Sequence, residues 1–181
     1  SPNILEGNVG AGTGMTGFGW KGGIGTASRV CDGPHGSNMV GVLTLTNTGD
    51  PRELRIGGQD VGSHFLPPGI SEDTGGSIII VVGTNAAVTS RQLTRIAKRA
   101  ALGLGRVGAI ASHSSGDFVI AFSNSGDRPG IDDTHLNPLF RGTVEATEEA
   151  IINSLLRAET MTGRDGNKRY SIPINDLIGI L

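Results

Sequence analysis

The 181-residue sequence predicts an α+β fold, on three observations. Glycines concentrate in the first half, where strand-like runs alternate with turn residues. The second half carries two long runs with helical spacing. Between them stand Ile78, Ile79, Ile80, Val81 and Val82, consecutive β-branched residues in the pattern of a buried strand. Helices with one apolar face and strands of this kind fit sheets covered by helices in layers. The length suits one domain, residues 1–181, with a core of its own.

The elements follow in order. Residues 7–25 hold nine glycines without helical periodicity and read as tight β-turns. Ser37–Thr46 reads as a strand, closed by the turn residues Asn47–Pro51. Glu53–Ile56, the pair Gly57-Gly58 and Gln59–Val61 form a hairpin pattern. Ser63–Gly76, with Pro67-Pro68-Gly69 inside it, reads as an exposed flexible loop. After the apolar strand, Thr89-Ser90 can cap a helix whose apolar positions are Leu93, Ile96, Ala97, Ala100, Ala101 and Leu104, with Gly103 and Gly105 at its end. Val107–Ser112 and Phe118–Phe122 are strand-like runs on either side of Ser114–Asp117. The longest helix starts near Asp133-Thr134 and repeats Leu136, Leu139, Phe140, Val144, Thr147, Ile151 and Leu155 on one face. Glu145, Glu148 and Glu149 fall outside that stripe and read as a solvated face. The tail predicts a turn at Arg164–Asn167, a short edge strand at Tyr170–Pro173 and a last helix from Asn175-Asp176.

Composition narrows the function classes. Fifteen Lys and Arg against seventeen Asp and Glu, with seven aromatics and no basic run, argue against a nucleic-acid partner. Cys31 stands alone, so no internal disulfide is possible, and it reads as a small buried or half-buried residue rather than a reactive thiol. No Cys or His pair has metal-ligand spacing, and no cofactor or metal is expected. No apolar run approaches the roughly 20 residues that cross a bilayer, so a soluble chain with no membrane partner is expected, its compartment open. The first residues carry neither an initiator Met nor a signal pattern, as in a processed chain or a fragment.

Gly12-Thr13-Gly14-Met15-Thr16-Gly17 matches the spacing that cradles a dinucleotide pyrophosphate. That pattern needs a helix N-terminus next, and Phe18-Gly19-Trp20-Lys21-Gly22-Gly23 cannot start one. Lys21 reads as a surface or loop charge.

The junction Gly75-Gly76-Ser77 before the apolar strand is the chemically loaded point. Gly76 lacks a Cβ, so the Ser77 hydroxyl could approach the Gly76 carbonyl, and the strand would hold Ser77 rigidly. Attack there turns the peptide bond into an ester that water can hydrolyse, leaving a chain that begins at Ser77. Its α-amino group would titrate near about 7.7–8.0, suited to a general base at neutral pH. Nucleophile and base would belong to one residue.

In Ser112–Asp117 an extended chain would put His113, Ser115 and Asp117 on one side. Ser115 could bond the nucleophile or its amine, Asp117 could orient the network, and a plain Ser-Gly-Asp turn explains the stretch equally well. His113 could be the base of a Ser-His-Asp triad, although a structural histidine is the simpler reading. Asn47 could offer its amide N–H to an oxyanion, or serve only the turn that follows it.

Gly75-Gly76-Ser77 with the following Ile-Ile-Ile-Val-Val-Gly-Thr-Asn-Ala resembles the L-aminopeptidase D-esterase/amidase type of enzyme, which includes the β-peptidyl aminopeptidases. Supporting stretches are Glu6–Met15, Lys21–Arg29, Val40–Leu43 leading to Asn47, Ser115–Asp117 and Ala158–Gly166. The resemblance implies a precursor that cuts itself between Gly76 and Ser77, so that 1–76 is the C-terminal part of an α chain and 77–181 a β chain. It implies a layered αββα sandwich of the Ntn-hydrolase kind with its own topology, and a homo-oligomer acting on short peptides, amides or esters. It further implies Ser77 as nucleophile, Ser115 and the acid at 117 as its supporting network, and Asn47 in the oxyanion hole. The acid is Asp117 here, where members can carry Glu. Members also have a long stretch of α chain before the position matching Ser1, including a tyrosine near the nucleophile that Tyr170 cannot match; the chain is therefore expected to be an incomplete form. The alternatives are a self-cleaving acyltransferase resembling the ornithine acetyltransferases, whose nucleophile is Thr, and a non-catalytic scaffold.

Overall fold

The computed structural model describes residues 4–33, 36–70, 75–126 and 130–181. The glycine-rich start turns as its composition predicts. A 3₁₀ turn at Gly10–Gly14 leads into a small antiparallel ribbon of β1 (Thr16–Gly17) and β2 (Trp20–Lys21). The ribbon reverses through Phe18 and Gly19, both in the left-handed region at φ 48° and 73°. Phe18 is fully buried there, and its amide donates to the Thr48 carbonyl at 2.8 Å.

Two long strands follow, β3 (Ile24–Gly33) and β4 (Gly36–Asn47), paired antiparallel. The expected strand at Ser37–Thr46 is β4, whereas β3 starts at the end of the turn-like 7–25 stretch and runs through residues to which the sequence reading assigns no element. Small and polar residues in Ile-Gly-Thr-Ala-Ser-Arg hide it, and one of them shows why they are needed. A Cβ on Gly25 would sit 1.9 Å from the Ala150 carbonyl oxygen, so only glycine lets a helix lie this close to the strand. The Gly57-Gly58 hairpin forms as predicted between β5 (Arg55–Ile56) and β6 (Gln59–Asp60), both glycines at positive φ. Of the expected loop Ser63–Gly76, residues 71–74 lie outside the described ones.

The central strand β7 (Ser77–Thr84) runs antiparallel to β4. It is followed by α1 (Ser90–Arg106) and by β8 (Phe118–Ser123), which lies parallel to β7 and completes the order β3-β4-β7-β8. Thr89 caps α1, as the sequence predicts, and Gln92 completes a reciprocal capping box with it. Val107–Ser112 is not a strand. Gly108 and Ala111 take φ of 94° and 50°, which breaks an extended run. The helix expected from Asp133-Thr134 begins as a 3₁₀ turn at Asp133–His135, and α2 proper spans Asn137–Leu156. β9 (Met161–Thr162) and β10 (Lys168–Arg169) pair around the predicted 164–167 turn, so the edge strand ends before Tyr170 instead of starting there. The chain closes on α3 (Ile174–Ile178).

The sheet has two apolar faces and the helices cover one. Val40 and Val42 of β4, with Ile78, Ile80 and Val82 of β7, point into the core shared with α1 and α2. Each such side chain stabilises the fold by roughly 1.5–3 kcal/mol. The alternate residues line the opposite face, where Val30, Met39, Ile79, Phe118, Ile120 and Phe122 stay at least partly in solvent. Ser77 and Asn47 belong to that uncovered face by the same alternation. Cys31 is buried and free, and burial pushes its thiol pKa up. The Glu145, Glu148 and Glu149 cluster is not simply solvated: Arg29 of β3 pairs with Glu145 and Glu149 at 3.3 and 2.6 Å, and Arg106 of α1 with Glu148 at 3.0 Å.

Candidate active site

The β4–β7 ladder ends on the pair Asn47↔Ser77. This rung brings the two predicted residues side by side although thirty positions separate them in the chain. The backbone before Ser77 is packed tightly against its neighbour strand. A Cβ on Gly76 would stand 2.1 Å from the Asn47 carbonyl oxygen, so the glycine is required by this close approach, a reason beyond the open path to its own carbonyl.

On the other side of β7, the loop before β8 closes over Ser77. The Gly116 amide donates to Ser77 Oγ at 3.0 Å. Ser115 Oγ donates to Asp117 Oδ1 at 2.6 Å, and the same oxygen accepts the Ile78 amide at 3.1 Å. Asp117 therefore sits one peptide group from the Ser77 nitrogen. The turn is drawn tight by a bond from the Ser115 amide to the Ser112 carbonyl at 2.8 Å. His113 lies exposed on the outside of that turn, and among the described residues no hydrogen bond joins it to Ser77, Ser115 or Asp117. Of the three residues expected on one side of an extended 113–117 segment, Ser115 and Asp117 do meet, while the turn at 113–114 sets His113 apart.

Asn47 is oriented from its far side. Its Oδ1 accepts the Thr16 amide at 2.9 Å, which leaves the two N–H bonds of Nδ2 as donors. A cavity of about 170 Å³ opens beside Asn47 and Gly75, with Thr16, Gly49, Ile70 and Arg169 in its walls. Together these groups can do acyl chemistry: a hydroxyl in reach of a backbone donor, an amide donor on the facing strand, and a carboxylate bonded to the amide of the residue that follows the hydroxyl.

Lys21 departs most from its sequence reading. It is buried, and its Nζ donates to the carbonyl oxygens of Gly12, Met15 and Gly22 at 3.0, 2.6 and 2.8 Å. The Gly12–Gly17 segment thus turns carbonyls toward a cation, the reverse of the N–H cradle that a pyrophosphate needs. Sequence reasoning missed this because the three acceptors meet only after the ribbon has folded. Among the described residues there is no group of His, Cys, Asp and Glu placed to hold a metal.

Comparison with known proteins decides the lineage of this site. The model of peptidase family S58 matches residues 1–169. The chain belongs to peptidase family S58. Within that family it is 41% identical to the beta-peptidyl aminopeptidase BapA of Sphingosinicella xenopeptidilytica, over 98% of this chain and 50% of that protein. Among solved structures, the PH0078 protein from Pyrococcus horikoshii OT3 superposes with a TM-score of 0.89 at 43% identity, covering 99% of this chain and 52% of the other. The L-aminopeptidase D-Ala-esterase/amidase from Ochrobactrum anthropi superposes at 0.88 with 34% identity, covering 98% and 52%, and is described as a new variant among the Ntn hydrolase fold. The α+β architecture is that of these solved structures. The chain spans about half the length of the curated relatives it matches. Among the described residues, no helix is long and apolar enough to cross a membrane.

Proposed function

We propose that the whole protein is a self-processing serine aminopeptidase, amidase or esterase that releases N-terminal residues from short peptides, amides or esters. The observation that carries this reading is the position of Ser77: first residue of β7, opposite Asn47, its Oγ held by the Gly116 amide, in a chain of family S58.

In the first step Ser77 Oγ attacks the Gly76 carbonyl carbon. The C–N bond breaks, the nitrogen takes up the proton, and an ester joins Gly76 to Oγ. Water then hydrolyses that ester, leaving a carboxylate on Gly76 and a free α-amino group on Ser77. Domain 1–76 ends the α chain and 77–181 is the β chain.

In turnover the Ser77 amine takes the Oγ proton as Oγ attacks the substrate carbonyl. The oxyanion that forms is met by Asn47 Nδ2–H. The leaving amine receives the proton, an acyl-enzyme remains on Ser77, and water attacks it by the same route. Asp117, fixed by Ser115 and the Ile78 amide, stabilises the amine when it is charged. The N-terminal part of the α chain is the partner that covers the open sheet face and supplies the second sheet of the αββα sandwich, and the assembly is a homo-oligomer.

The test uses full-length protein and aminoacyl p-nitroanilides. Turnover by the wild type and none by Ser77→Ala supports the reading. An inert wild type with an intact Gly76–Ser77 bond supports a scaffold role instead.

A further inference from the structure

The glycine-rich segment folds around a cation that meets no counter-charge. Lys21 is 2% exposed, its Nζ has three carbonyl acceptors, and among the described residues no carboxylate pairs with it. Its pKa is lowered by this burial. An ammonium is costly to bury, and an apolar side chain of similar length would fill the space without that cost. The position of the acceptors shows what the charge achieves. One of them is the Met15 carbonyl oxygen, which also accepts the Gly22 amide at 3.2 Å. The Met15 carbonyl and the Thr16 N–H belong to one planar peptide group. A cation that fixes the carbonyl on one edge of that plane fixes the N–H on the other edge, and it polarises the group so that the N–H is the better donor. That N–H is the one that meets Asn47 Oδ1. The ribbon being held is a strained one, since it reverses through Phe18 at φ 48°.

We propose that Lys21 is a positioning residue for Asn47: its ammonium grips the Met15 carbonyl and thereby aims the Thr16 N–H at Asn47 Oδ1, which turns the Asn47 Nδ2–H bonds toward the carbonyl attacked by Ser77. The catalytic half of this statement rests on the function proposed above; the structural half does not.

Full-length protein carrying Lys21→Met or Lys21→Arg is compared with the wild type by hydrogen exchange at the Thr16 amide and by kcat and KM on an aminoacyl p-nitroanilide. Lys21→Met is expected to speed Thr16 exchange at least about tenfold and to lower kcat on the order of 100-fold, as misplacing a catalytic group does, with KM nearly unchanged. In an Asn47→Asp background the same substitution should lower kcat no further, because the two act through one donor. Unchanged Thr16 exchange, or an equal loss of kcat with and without Asn47→Asp, overturns the proposal. If Lys21→Met does not fold, Lys21→Arg decides: a cation that still reaches Met15 should keep Thr16 protected and kcat within about tenfold of wild type, and loss of Thr16 protection at full kcat overturns it. A wild type without turnover refutes the proposed function, while Thr16 exchange still decides whether Lys21 holds the ribbon.

Discussion

Asn47 and Ser77 are register partners on the last rung of the β4–β7 ladder. A ladder rung fixes spacing through the backbones of two strands, so the amide side chain and the hydroxyl are set by paired strands rather than by a loop. Their chemistry can be separated from their packing by substitution.

Asn47→Asp keeps an oxygen for the Thr16 amide and removes the Nδ2–H donors. The variant should melt close to wild type while kcat falls about 10²–10³-fold, the usual loss for one oxyanion donor. Thermal melts and steady-state kinetics of the full-length protein check this; an unchanged kcat would remove Asn47 from the oxyanion hole.

Asp117→Ala should cost more stability than Ser115→Ala. Removing the carboxylate strands the Ile78 amide as well as the Ser115 hydroxyl, both in part-buried bonds, and should cost about 1–3 kcal/mol. Ser115→Ala leaves the Ile78 bond in place and should cost about 0.5–1.5 kcal/mol. Both should slow turnover. Denaturant melts rank the two, and equal stabilities would contradict the shared-oxygen geometry.

Gly76→Ala forces a methyl group toward the Asn47 carbonyl oxygen, 2.1 Å from the ideal Cβ position. The strand end must shift, and self-cleavage should slow at least about tenfold because the attacking and attacked atoms move out of line. A time course of chain separation on denaturing gels reads it; cleavage at the wild-type rate would show that the close approach has no part in the reaction.

Acid stability should depend on Asp133. Arg91 donates to both its oxygens at 2.8 and 2.7 Å, Gln92 donates at 2.8 Å and Arg95 pairs at 2.9 Å. The Arg91 bonds first, then Gln92, hold this carboxyl below its ordinary value of 3.8. The folded state therefore binds the proton more weakly than the unfolded chain. The stability from Asp133 is present above the ordinary value and is lost as pH falls through the lowered one. Below about pH 4 the wild-type melting temperature should fall more steeply than that of Asp133→Asn, and parallel curves would contradict the linkage.

The parts of the site written in local chemistry were legible in sequence. A glycine pair, a serine and a β-branched run mark the Ser77 junction, and Thr89-Ser90 marks the start of α1. The parts that depend on close approach were not. β3 is hidden because Gly25 and its small neighbours serve the packing of α2 and carry little strand signal. Val107–Ser112 looks extended until Ala111 adopts φ 50°, which its residue type does not announce. Lys21 looks like a surface charge because its three acceptors converge only in three dimensions. His113 is set aside by a turn that replaces the extended run its spacing would need.

The central claim is that Ser77 becomes a chain end. Denaturing mass spectrometry of purified full-length protein tests it most directly. The account predicts two polypeptides, the second beginning at Ser77, and one uncut polypeptide for Ser77→Ala. A fully active wild type recovered as a single intact chain would contradict it.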